Sequence, residues 1–94
     1  MTLSIDGPHG TITVPDSVLL GIATRAAEGV DGLHVRRKRS VDVEARVVRL
    51  ELTAQRGEPL VAQGERCQEA VAAALKQACD LDVAVDLAFE ELYV

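Results

Sequence analysis

The sequence predicts an α+β protein, a two-layer sandwich in which two helices cover one face of an antiparallel or mixed sheet. Two segments have helical periodicity, the segments around them alternate apolar and polar residues, and Gly and Pro separate them. The predicted order is strand, helix, strand, strand, helix, strand. With 94 residues, 48% of them hydrophobic, we expect one domain over residues 10–94 after a flexible lead-in over residues 1–9.

The first strand and the first helix follow the lead-in directly. Residues 10–14 alternate polar and apolar side chains and stop at Pro15, which is typical of a short strand. A helix is predicted next and should end near Gly29 and Gly32. Its apolar positions fall on one stripe of the helix surface, and these are Leu19, Ile22, Ala23, Ala26 and Val30.

Two further strands are predicted between residues 33 and 52, and the first of them turns strongly basic. Its apolar positions continue to Val41 and Val43, whereas from Val48 onward the alternation has the opposite phase. Because a strand keeps a strict period of two, a phase change indicates a turn. We therefore predict a hairpin that turns at residues 44–46.

The second helix is the strongest element of the sequence. Pro59 suits a first turn, and between Leu60 and Cys79 the apolar and small residues cluster on one face, with six alanines that favour helix. Residues 82–90 then alternate strictly, which predicts a half-buried strand with an acidic outer face. This strand completes the predicted sheet.

Composition excludes several classes of function. The net charge of −5 disfavours a protein that coats nucleic acid, and an aromatic content of 2% leaves few side chains for stacking on bases. No apolar run is long enough to span a membrane, and the first six residues lack the basic and apolar regions of a signal peptide. We therefore expect a cytoplasmic protein without direct membrane insertion.

Residues that carry chemistry are sparse. Cys67 and Cys79 both fall on the second helix, separated by roughly 18 Å of helical rise, so they form neither a disulfide nor a zinc site. His9 and His34 have no nucleophile or acid beside them in a catalytic pattern. We predict no catalytic residues, no metal and no cofactor. A thiol-based regulator or small-molecule enzyme, which would use Cys79 or His34, is the competing class.

Two charged segments are candidate contact sites. The first, called the basic run, comprises His34, Arg36, Arg37, Lys38 and Arg39. We interpret it first as a solvated cluster that protects a sheet edge, and a contact with an anion or a membrane surface is the alternative. The second is acidic and comprises Asp82, Asp86 and Glu90. If the basic run of one copy met the acidic strand of another, the contact would be heterologous and salt-sensitive, and it could extend into a ring or filament.

The chain resembles the alkaline shock protein family, small bacterial proteins of envelope stress. The resemblance lies in GTITVPDSVL at residues 10–19, EGVDGL at residues 28–33, VRLEL at residues 48–52 and VAVDL at residues 83–87. It implies an α+β domain without known catalytic residues. It also implies a homo-oligomer that is held near the membrane by a small partner with a transmembrane segment.

The sequence departs from the family pattern in three places. The segment between Leu33 and Val41 is short and basic, Arg56-Gly57 replaces an aromatic-Gly pair, and Cys79-Asp80-Leu81 replaces a Gly after the second helix. The last difference predicts a differently capped helix. The expected function is a non-catalytic scaffold or accessory protein of envelope homeostasis. RNA binding through the basic run is the alternative, although the acidic composition makes a nucleic-acid partner the weaker expectation.

Overall fold

The computed structural model describes residues 2–55, 57 and 59–93. These residues form two helices and five strands, and the strands are arranged in two sheets. In chain order the elements are β1 (Thr2–Gly7), β2 (Gly10–Pro15), α1 (Asp16–Glu28), β3 (Leu33–Asp42), β4 (Val47–Gln55), α2 (Leu60–Cys79) and β5 (Ala84–Tyr93). Arg56 and Glu58, which the sequence places before the second helix, lie outside the described residues.

The larger sheet, called the body sheet, has the strand order β3-β4-β5. Strands β3 and β4 are antiparallel and are joined by a turn over residues 43–46, as the phase change predicts. Strands β4 and β5 are parallel because α2 carries the chain back to the starting end of the sheet. The predicted α+β class with a mixed sheet is therefore confirmed.

The core lies between the body sheet and the two helices. Strand β4 buries every second residue against the helices, while the intervening positions form the open face of the sheet. Helix α1 buries Ala27, whereas the sequence pattern favoured Ala26. Helix α2 buries the polar residue Gln63 beside its apolar positions, and its Ala78 is exposed. The main core residues of β4, α1 and α2 are Val48, Leu50, Leu52, Ala54, Leu19, Ala23, Ala27, Cys67, Val71 and Leu75.

The predicted flexible lead-in over residues 1–9 is wrong, because Thr2–Gly7 forms β1 and pairs with β2 along its whole length. Strand β2 was also expected in the main sheet, but it pairs only with β1. We call residues 2–15 the hairpin arm. Pro8 and His9 form the tight turn of this hairpin, and Gly10 after them adopts a φ of 137°.

Helix α2 ends at a left-handed residue that is not glycine. Asp80 takes the left-handed conformation, with φ 54°. Its backbone N–H donates to the carbonyl oxygen of Lys76 at 2.9 Å, and the N–H of Leu81 donates to the carbonyl oxygen of Leu75 at 3.4 Å. A residue in this conformation after the last turn is the usual helix stop, and glycine normally holds it. Asp80 therefore takes the place that glycine usually holds, with the usual cap conformation, and a cap that differs from the family's stays a prediction.

Candidate protein-interaction surfaces

The basic run lies at a bulge in β3, one of the two outer strands of the body sheet. Val35 pairs with Leu52 and Arg39 pairs with Leu50, so the three residues between them lie opposite Glu51 alone. Such a bulge disrupts the ladder and bends the strand. It exposes the side chains of the basic run at the edge of the sheet.

Two arginines of the basic run are held by neighbouring threonines. The Nη1 of Arg39 donates to the Oγ1 of Thr24 on α1 at 3.2 Å, so this side chain crosses to the helical side of the sheet. The Nη1 of Arg36 donates to the Oγ1 of Thr53 on β4 at 3.4 Å. The bulge therefore directs Arg36 and Arg39 to different neighbours.

The acidic residues lie at the opposite edge of the same sheet. Asp86 and Glu90 are exposed on β5, and the Oδ2 of Asp86 is 3.9 Å from the Nε of Arg49. Asp82 was expected within this strand, but β5 begins at Ala84. Asp82 instead lies in the preceding connection, with its Oδ2 3.4 Å from the Nζ of Lys76. The structure thus brings together two of the three predicted acidic residues on β5.

Lys76 forms a second ion pair at the end of α2. Its Nζ is 2.8 Å from the Oδ1 of Asp80. This hydrogen bond and the accompanying attraction lower the pKa of Asp80 and raise the pKa of Lys76, to which Asp82 also contributes. Because these groups are exposed, the solvent screens their interaction and the ion pairs contribute little to stability.

Each edge of the body sheet is also covered by a helix side chain. On β3 the backbone N–H of Val35 donates to the Oε2 of Glu28 from α1 at 3.2 Å. On β5 the carbonyl oxygen of Val85 accepts from the Nε2 of Gln68 on α2 at 2.9 Å. Bulges, charges and covered backbone groups are devices that limit edge-to-edge pairing. The body sheet combines all three.

A shallow depression crosses the open face of the body sheet between the two edges. It is lined by three cations of the basic run, which are Arg36, Arg37 and Lys38. The carboxylates of Glu51 and Glu90 line it as well. The carboxylates reduce the positive potential that a polyanion would need. The depression therefore carries charges of both signs.

The hairpin arm is a candidate surface that the sequence analysis missed. Its register places Leu3 opposite Val14 and Ile5 opposite Ile12, which puts all four on one face. Leu3 and Val14 pack on the core cluster, whereas Ile12 is 54% exposed. The missed signal is the alternation of apolar residues at positions 3 and 5, which matches that of β2.

The remaining candidates for chemistry are dispersed. Cys67 is buried, and desolvation raises the pKa of its thiol to about 11. Cys79 is half-buried, and His9 lies exposed in the turn of the arm. Within residues 2–55, 57 and 59–93, no group of three or more His, Cys, Asp or Glu residues is placed to hold a metal ion. No helix in that part of the chain is long and apolar enough to cross a membrane.

Comparisons with protein-family models, with curated proteins and with solved structures give no match to this chain. The resemblance to the alkaline shock protein family therefore stays a prediction. The fold defines an α+β protein with a helix-covered body sheet and a projecting hairpin.

Proposed function

We propose that this protein is a non-catalytic, self-associating scaffold or accessory protein of the bacterial cell envelope. The hairpin arm is the observation that carries the self-association. The envelope setting, and a small membrane-anchored partner that holds the protein near the membrane, rest on the family resemblance alone.

The arm has a surface that one chain leaves only partly covered. A two-stranded hairpin is marginally stable in water, and here only its base packs on the core. The arm contains no Lys or Arg, and Asp6 is the one acidic residue in its two strands. Edges of this kind lack the charges that discourage pairing. A second copy offers the same apolar face, so a symmetric contact between two arms would cover both.

The test compares two exposed apolar residues. Ile12→Thr keeps a residue that favours strands but makes the apolar face of the arm more polar. The matched control is Val61→Thr on α2, where the side chain is 76% exposed and lies outside the arm. Light scattering after size exclusion should show a lower mass for Ile12→Thr than for the wild type, and an unchanged mass for Val61→Thr. A monomeric wild type would contradict the proposal.

The envelope setting needs a separate experiment in the native cells. The protein is crosslinked, the cells are fractionated, and co-purifying proteins are identified by mass spectrometry. Recovery in the membrane fraction with a small transmembrane protein would support the proposed setting. Recovery in the soluble fraction with ribonuclease-sensitive partners would overturn the proposed envelope setting and favour the RNA-binding alternative.

A further inference from the structure

We propose that copies of this protein also associate side by side, with the β3 edge of one copy lying antiparallel along the β5 edge of the next. The basic run of one copy then faces Asp86 and Glu90 of its neighbour. This inference rests on the proposed self-association and adds a second contact to it, separate from the arm.

Strand direction makes the contact geometrically straightforward. Strands β3 and β5 are the two outer strands of the body sheet, and they run in opposite directions because β3 is antiparallel to β4 while β5 is parallel to it. A neighbouring copy in the same orientation therefore brings its β3 antiparallel to β5. Because the two edges differ, the contact is heterologous and leaves one unused edge at each end, so it can repeat.

Charge selects this pairing over the alternatives. Residues 36–39 of β3 are all basic, whereas residues 77–93 contain no Lys or Arg and include the exposed Asp86 and Glu90. A β3–β3 contact would bring two basic runs together, and a β5–β5 contact would bring two acidic strands together. Like charges in close contact oppose association, so only the β3–β5 contact is complementary.

The covered backbone groups limit the length of the contact. Glu28 occupies the N–H of Val35 and Gln68 occupies the carbonyl of Val85. Residues 36–42 of β3 and residues 86–90 of β5 lie beyond these two positions. An antiparallel register that sets Arg36 opposite Glu90 sets Ser40, next to Arg39, opposite Asp86. Strand addition over so short a stretch gives few backbone hydrogen bonds, so the contact should depend on its charges. Salt should therefore weaken it.

The test exchanges charge between the two edges. Variant A carries Arg37→Glu and Lys38→Glu, which removes the net positive charge of residues 36–39 and leaves the acidic β5 edge without a basic partner edge. Variant B carries Asp86→Lys and Glu90→Lys, which leaves basic residues at both edges. A control with Arg25→Glu and Arg66→Glu changes the net charge as variant A does, but on exposed helix positions. Sedimentation velocity measures the size distribution of each protein, of an equimolar mixture of A and B, and of the wild type at about 0.02 M and about 0.5 M salt.

The expected result is mutual rescue. The wild type and the control should form species larger than arm-linked dimers at low salt and lose them at high salt. Variants A and B should lack these species when alone, and their mixture should regain them, because each supplies the charge that the other lacks. Circular dichroism confirms that both variants are folded.

Two results would overturn the side-by-side contact: variant A or B assembling like the wild type, or folded variants whose mixture stays small. In either case, loss of mass in Ile12→Thr would leave the proposed function standing. A wild type that is monomeric at both salt concentrations would overturn both proposals.

Discussion

The hairpin arm and the body sheet treat their edges in opposite ways. The outer strands of the body sheet carry charged side chains, a bulge and backbone groups that are bound by Glu28 and Gln68. The arm has a regular register, almost no charge and an apolar face that continues past the core. Both follow the same alternating pattern, so that pattern predicts a strand but not what the strand edge does. The charges along the edge carry that information.

This difference separates stability from assembly. The body sheet buries a continuous apolar layer against both helices, and the arm contributes only its base to that layer. Substitutions in the buried core of the body should therefore change the free energy of unfolding. Substitutions at exposed positions, near the tip of the arm or along the charged edges of the body sheet, should instead change the size of the assembly.

The largest effect is expected in the centre of the body. Leu52 is fully buried on β4, so Leu52→Ala should lower the free energy of unfolding by about 3 kcal/mol. Ile12→Ala on the arm should lower it by less than about 1 kcal/mol, because Ile12 is half exposed. Urea unfolding, monitored by circular dichroism under conditions where the protein is monomeric, measures both. Equal losses would show that the arm belongs to the cooperative core.

The second prediction concerns the alkaline stability of the body. Burial raises the folded-state pKa of Cys67 to about 11 from an unperturbed value of 9.0, so the unfolded chain releases the thiol proton first. The contribution of the protonated Cys67 thiol to the free energy of unfolding is fully present below pH 9 and is lost as the pH rises from 9 to about 11. The free energy of unfolding should then fall by about 1 kcal/mol for each pH unit, relative to a Cys67→Ala variant.

Urea unfolding of both proteins from pH 8 to pH 11 gives the test. Other groups titrate in this range in both proteins, so the difference between the two curves isolates the thiol. Parallel curves would mean that Cys67 reaches solvent in the folded protein.

The third prediction compares two glycines. Gly32 has a φ of 86°, and a Cβ there would lie 3.2 Å from the Nε2 of Gln63, which donates to the carbonyl oxygen of Asp31 at 3.0 Å. Gly32→Ala should therefore destabilise the body by about 1–2 kcal/mol. Gly21 in α1 has open space around its Cβ position, so Gly21→Ala should stabilise by about 0.5–1 kcal/mol. Thermal unfolding of both variants measures the contrast, and shifts of the same sign would contradict it.

Sequence patterns predicted the body well because its elements are long. The alternation from Val48 to Ala54 and the helical stripe of α2 each extend over enough residues to fix a period. The sequence analysis missed strand β1 of the arm because Leu3 and Ile5 make only a short alternation before Gly7-Pro8. Asp82 was misplaced because the alternation begins before β5 pairs with β4.

The candidate surfaces were less predictable than the fold. The run of basic residues was visible, but the bulge that exposes it depends on how β3 pairs with β4. The contacts of Arg39 with Thr24 and of Gln68 with Val85 join residues that are distant in the sequence. Local periodicity contains no information about such contacts.

The smallest effect is expected where α2 ends. Asp80 holds a left-handed conformation that glycine adopts without steric cost, so Asp80→Gly should relieve strain of about 1 kcal/mol. The same change removes the exposed ion pair with Lys76, which opposes the gain only weakly. The net result should be a rise in melting temperature with an unchanged assembly size. A lower melting temperature would mean that the Lys76 ion pair outweighs the backbone strain.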